Sequence, residues 1–184
     1  MTNDDEVIGR AKGGIARAEI LSADRKSEIA RKGAIARWGA QAMHRGSFKE
    51  EFGIDVECYV LDDIQKTAVI SQTGMGEALG FSKSGSRFPR FINSKKITPY
   101  VGPELAKKLE NTLKFQGLAA GLNVPKPTVH GYDATILIDV CNAIVRAEAD
   151  GKLSPEQNVV KQAHIILGAS AKAGIKGLVY ALGG

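Results

Sequence analysis

Cysteine is scarce in this chain: Cys58 and Cys141 are its only two, far apart and outside any paired C-x-x-C spacing. That argues against a disulfide framework and a thiolate zinc site, and both read as small buried hydrophobes. Long apolar runs are missing too, with no stretch of about 18 apolar residues of the kind that crosses a bilayer. The amino-terminal MTNDDEVIGR is acidic and polar, unlike a secretory leader. The expectation is a cytoplasmic protein with no membrane association.

Catalytic groupings are equally sparse. His44, His130 and His164 lie in different segments, and no hydrolase serine or cysteine motif accompanies them. His130, in TVHGYD, reads as a loop residue and His164 as a surface position on a helix. The stretch GFSKSGSR, Gly80 to Arg87, approaches a phosphate-binding loop, but Ser86 stands where the lysine is needed and Arg87 where the magnesium-binding hydroxyl belongs. Gly74, Gly76 and Gly80 miss the dinucleotide-binding spacing by one residue. Asp62 and Asp63 are adjacent acids in an expected turn, where aspartate is favoured for local geometry rather than metal binding. No catalytic residue, metal ligand or cofactor is expected, and the chain reads as a non-enzyme.

What the chain does have is positive charge, unevenly placed. The whole sequence of 184 residues carries a net +5. Between Gly9 and Arg45, however, nine basic residues face only Glu19, Asp24 and Glu28. From Ala78 to Pro103, Lys83, Arg87, Arg90, Lys95 and Lys96 occur with no acid at all. Two such patches suit a polyanion. The first also contains a repeat, KGGIAR at Lys12 to Arg17 and KGAIAR at Lys32 to Arg37. Its small residues would allow close helix packing or close approach to a phosphate backbone, either of which must offset the roughly 1 kcal/mol that a glycine costs inside a helix.

The chain divides into a basic helical arm, residues 1–46, and a main domain, residues 52–184. In the arm, helices are expected from Glu6 to Ile20 and, after an N-cap at Ser22, from Ala23 to Met43, with His44 to Glu51 as linker. The domain opens with GIDVECYVLDD, read as a half-buried strand with Ile54, Val56, Cys58 and Val60 on one face. KTAVISQ returns to complete a β-hairpin. A short helix, Thr73 to Leu79, ends at Gly80; a basic, mostly looped stretch follows, and Pro103 opens the next helix. LKFQGLAA reads as extended structure, and AGLNVPKPTVHGY as a turn-rich connection.

The carboxyl third is the most regular. Leu137, Val140, Cys141, Ile144 and Val145 mark one buried face of a helix from Asp133 to Ala149. Ser154-Pro155-Glu156-Gln157 starts another, with Val159, Ala163, Ile166, Leu167 and Ser170 inward and a stop at Ala173-Gly174. The fold class is therefore α+β: a basic helical arm, a small β-hairpin sheet packed with helices, and a carboxyl-terminal antiparallel helical hairpin.

Function follows from the charge. Gln72 to Phe91 opens like a helix-turn-helix, with Met75, Gly76, Leu79, Gly80 and Phe81 in place, but its second half has Ser86, Gly85 and Pro89 where a recognition helix needs an anchor and helix formers. Phosphate contact is the simpler expectation, from Lys12, Arg17, Arg31, Lys32 and Arg37 in the arm and Lys83, Arg87, Arg90, Lys95 and Lys96 in the loop. The expected partner is nucleic acid, DNA rather than RNA. The competing reading is a protein-interaction module, in which the arm forms a homo-oligomer through Ile15 and Ile35 and the basic surface docks on a protein or nucleoprotein complex.

The segments LDDIQKTAVISQTGMGEALGFSKSGSRFPRFI and GYDATILIDVCNAIVRAEADGKLSPEQNVVKQAHIILGASAKAGIKGLVYALGG resemble the amino-terminal portion of bacterial, phage and plasmid proteins of the P-sixty-three-C domain family. That family is similar to phage antirepressors of the BRO and KilA-N type. RKSEIARKGAIARW also resembles the basic repeat that precedes this region in the family. The resemblance implies a regulator of phage or mobile-element origin, with an antirepressor or anti-defence inhibitor as the protein-binding variant. Family members continue past the end of this chain, so the domain that gives the family its name is expected to be absent, and nothing residing there is implied.

Overall fold

A computed structural model describes residues 22–53 and 55–183. The chain falls into two units, residues 1–39 and 40–184. The expected helix Glu6 to Ile20 lies outside the described residues.

In the first unit, α1 runs Ala23–Trp38. Ser22 caps it as expected, its hydroxyl accepting from the Arg25 amide at 3.3 Å. Glu28 and Lys32 pair along one face at 2.7 Å. A side chain added at Gly33 would meet nothing within 4 Å, so among the described residues this repeat glycine serves no close packing. The helix stops at Trp38, earlier than the expected Met43, because Gly39 takes a left-handed φ of 76° that ends it.

The second unit contains five strands: β1 (Ala40–Ser47), β2 (Glu57–Leu61), β3 (Ala68–Ser71), β4 (Leu113–Gln116) and β5 (Thr128–Asp133). Six helices accompany them: α2 (Lys49–Phe52), α3 (Gln72–Ala78), α4 (Arg87–Ile92), α5 (Thr98–Glu110), α6 (Thr135–Ala149) and α7 (Asn158–Gly183). The mixed composition is the expected α+β class, but the sheet is a closed barrel in the order β1-β2-β3-β5-β4 rather than a hairpin sheet. The hairpin exists as one part of it, with Cys58, Tyr59 and Val60 opposite Ile70, Val69 and Ala68. Two stretches not expected to be strands close the rest. Ala40–Ser47 pairs with β2 through a bulge between Ala42 and His44, and Thr128–Asp133 pairs with both β3 and β4. An odd number of strands cannot alternate direction all the way round, so one parallel pair is required; it is β1 with β4, through Ala40↔Phe115 and Gln41↔Gln116.

The barrel sets the phase of β2. Tyr59 and Leu61, not Cys58 and Val60, face its interior, packed with Ala42, Val69 and Phe115. Tyr59 and Phe115 meet edge-on at 5.3 Å between ring centres. The other strand faces are apolar as well, because Ile70, Tyr132 and partly buried Cys58 join the larger core beneath the helices. That core holds Phe88, Met75, Leu79 and Ile97, all nearly or fully buried, each contributing about 1.5–3 kcal/mol relative to exposure.

α6 ends where expected and starts at Thr135 rather than Asp133, which closes β5; Leu137, Val140, Cys141 and Ile144 are buried and Val145 is at the margin. α7 packs on α6 through Val159, Val160, Ala163 and Ile166, and His164 Nε2 lies 2.6 Å from Glu148 Oε2. α7 starts at Asn158 rather than at Pro155, after a turn through residues 155–157; in that turn the Ser154 amide donates to the Gln157 side chain at 3.1 Å, one half of the expected capping box. The expected stop at Ala173-Gly174 does not occur: α7 continues to Gly183, and residues 171–183 are all exposed. α7 is the one helix among the described residues long and apolar enough to cross a membrane. Its first half is packed on the domain, leaving 13 residues, or about 20 Å of helix against a hydrocarbon core of about 30 Å.

Candidate nucleic-acid interface

The basic segment is an ordered excursion from the core rather than a free loop. Ser71 caps α3, its hydroxyl accepting from the Gly74 amide at 2.9 Å, and Met75, Ala78 and Leu79 bury one side of the helix. Gly80 turns the chain with a φ of 80°. Phe81 and Phe91 then pack across residues 82–86 with ring centres 5.2 Å apart, bracing the two ends of the turn.

α4 follows, six residues long. Pro89 is tolerated because it is the third residue, where the amide it lacks would have no partner within the helix. Phe88 and Ile92, four apart, are buried at 1% and 6% exposure, while Arg87 and Arg90 project outward. A turn through Lys95 and Lys96 leads to Ile97, fully buried. The Thr98 hydroxyl closes this turn by donating to the Ser94 carbonyl at 2.9 Å.

Lys83, Arg87, Arg90, Lys95 and Lys96 are thus carried on one short path and all exposed. None of the five forms an ion pair among the described residues, whereas Arg45 is paired with Glu57, Lys66 with Asp62, and Lys108 with Glu104 and Asp139. Lys83 differs from its neighbours in sharing a polar cleft of about 510 Å³ with Asp55, Glu57 and Glu77. The α3–α4 pair keeps the packing positions of a helix-turn-helix, but α4 rises only about 9 Å.

The remaining positions are distributed elsewhere. Arg31, Lys32 and Arg37 stand on α1, where Lys32 pairs with Glu28. Lys12 and Arg17 lie outside the described residues. His130 is an exposed strand residue on β5, not a loop residue. Asp62 and Asp63 do form a turn: the Thr67 hydroxyl and amide donate to the Asp63 carboxylate at 2.6 and 2.9 Å. Burial acts to raise the Asp63 pKa, but these donors outweigh it and hold the carboxyl below its ordinary value.

Burial pushes the Cys141 thiol up to about 12, and Cys58 also rises chiefly through burial; both stay protonated near neutral pH. Among the described residues, no three His, Cys, Asp or Glu side chains cluster so as to hold a metal ion. Sequence reasoning missed a cleft of about 390 Å³ behind α4, walled by α4, α5 and Tyr132 of β5. No protein-family model, curated protein or solved structure matches this chain.

Proposed function

We propose that this protein is a non-enzymatic, cytoplasmic nucleic-acid-binding regulator of phage or mobile-element origin, contacting DNA phosphates through Lys83, Arg87, Arg90, Lys95 and Lys96, with the basic arm as a second contact. The observation that carries this reading is the absence of any ion pair for these five exposed side chains among the described residues. Their positive field is not cancelled by bonded carboxylates, and buried Phe88, Ile92 and Ile97 hold their backbone in place. The short α4 suits backbone contact better than base reading.

Fluorescence anisotropy with a labelled mixed-sequence duplex tests it. Five phosphate contacts give a salt slope of about −4.5, so affinity should fall roughly 500-fold between about 50 and about 200 mM salt. Absence of binding at the lower salt would refute the proposal.

A second reading, a protein-interaction module of the antirepressor or anti-defence kind, is favoured by α7. Ile175, Leu178, Val179 and Leu182 are 60–87% exposed, and their spacing makes one apolar stripe. A concentration-dependent sedimentation coefficient, insensitive to salt and abolished by Leu178→Glu, would support self-association as one such interaction.

A further inference from the structure

The cleft behind α4 has the dimensions and chemistry of a ligand site. Its volume of about 390 Å³ falls in the range of small-molecule pockets. Its walls come from sequence-distant pieces: Phe88 and Ile92 from α4, Val101 and Leu109 from α5, and Tyr132 from β5. Phe88, Ile92, Val101 and Tyr132 are each no more than 7% exposed, so the cleft is floored by the main core.

Asn93 and Thr98 line the cleft from exposed positions, and Tyr132 supplies its buried polar group. It is only 4% exposed, and its hydroxyl has no hydrogen-bond partner among the described residues. The oxygen is not among the side-chain atoms sealed away from solvent without a partner; that condition belongs to Gln162 Oε1. The hydroxyl therefore opens to the outside, and the cleft that Tyr132 lines provides the route. A buried phenol normally finds a partner, and one left facing a cavity is a donor available to an incoming acceptor.

The remaining lining restricts the class further. Phe88 and Tyr132 meet edge-on with ring centres 5.8 Å apart, which presents aromatic surface to a third ring. Glu110 is the only charged residue lining the cleft, so its walls offer no countercharge that could bond an anion. We infer that the cleft between α4 and α5 binds a small uncharged aromatic molecule bearing a carbonyl or ring-nitrogen acceptor, which takes its hydrogen bond from the Tyr132 hydroxyl.

The test is an NMR titration of the full chain with two probes of nearly equal shape, acetophenone and ethylbenzene, which differ in the carbonyl acceptor. Saturable shifts confined to Phe88, Ile92, Val101 and Tyr132, with acetophenone binding several-fold more tightly, are expected. Tyr132→Phe should abolish that preference while retaining ethylbenzene binding. Ala106→Phe, which fills the cleft from a half-buried position on α5, should abolish binding of both with the folded spectrum preserved. Absence of saturable shifts with millimolar acetophenone would overturn the site, and so would shifts unaffected by Ala106→Phe. An unchanged preference in Tyr132→Phe would overturn the assignment of the donor. None of these readouts depends on nucleic-acid binding.

Discussion

The side-chain amide of Asn158 donates to the carbonyl of Gly80 at 3.3 Å, fastening the first turn of α7 to the bend from which the basic segment departs. Gly80 has a φ of 80°, and a side chain added there would overlap the Asn158 amide nitrogen and press on Gln162. Two penalties therefore coincide at one position: left-handed backbone strain and steric overlap. Gly80→Ala is expected to lower the unfolding free energy by about 2–4 kcal/mol. Asn158→Ala alone removes one hydrogen bond, about 1 kcal/mol. In the double variant the overlap is relieved and the strain persists, so its loss should be smaller than the two single losses combined. Urea denaturation of the four proteins measures this directly, and strict additivity would show that the overlap is absent.

Tyr59 links the barrel interior to alkaline pH. It is 7% exposed, and its hydroxyl donates to Glu57 Oε2 at 2.8 Å, while Glu57 also pairs with Arg45. Burial first, then the Glu57 bond, pushes the phenol up to about 12. An unfolded tyrosine ionises near 10, so the unfolded chain releases its proton first. The stability that Tyr59 confers is complete below about pH 10 and lost as pH rises toward 12. Tyr132, raised by burial, and Tyr100, raised mainly by its bond to Asp150, act in the same direction. Tyr59→Phe should therefore flatten part of the decline in unfolding free energy between about pH 10 and 12. An unaltered slope would place Tyr59 outside the alkaline transition.

These features were unequally legible in the sequence. The buried face of α6 could be read because Leu137, Val140, Cys141 and Ile144 recur at helical spacing, and one helix face meets one core. β1 could not, because AQAMHRGS lacks β-branched residues and becomes a strand only through pairing with β2 and β4. The alternation in β2 identifies one of its two buried faces, since Val56 and Cys58 pack on the main core; the second, with Tyr59 and Leu61 in the barrel interior, is not marked by alternation because both faces are apolar. Within the candidate interface, the cations are neighbours in sequence and visible as such. The cleft behind them depends on Phe88 and Tyr132 meeting across the fold, which no local pattern records.

The exposed end of α7 gives a stability prediction with an unusual sign of indifference. Residues 171–183 include Ile175, Leu178, Val179 and Leu182, and all are exposed. Apolar side chains that remain in water contribute no burial term. A chain ending at Ser170 should keep its unfolding free energy within about 0.5–1 kcal/mol of the full-length value. Its helical circular dichroism should fall by the share of those residues alone. A larger loss in dilute protein would mean that this segment packs on the domain.

Stability and nucleic-acid affinity should separate cleanly along the basic segment. Alanine at Lys83, Arg87, Arg90, Lys95 or Lys96 removes an exposed side chain with no ion pair among the described residues, so each change in stability should stay within about 0.5 kcal/mol. Phe88→Ala, next to Arg87 but buried, should instead cost about 3–5 kcal/mol. On DNA the order reverses: each alanine at a contacting cation should reduce the salt slope by about 0.9, whatever the duplex sequence. Lys83 is expected to give the smallest reduction, because Glu57 and Glu77 line the cleft it occupies and lower the local potential before a phosphate arrives. Anisotropy titrations of the five variants across salt, with urea unfolding of each, test both halves. Equal slopes in all five and the parent would remove this segment from the interface, while reduced slopes accompanied by unchanged stability would locate the phosphates on it.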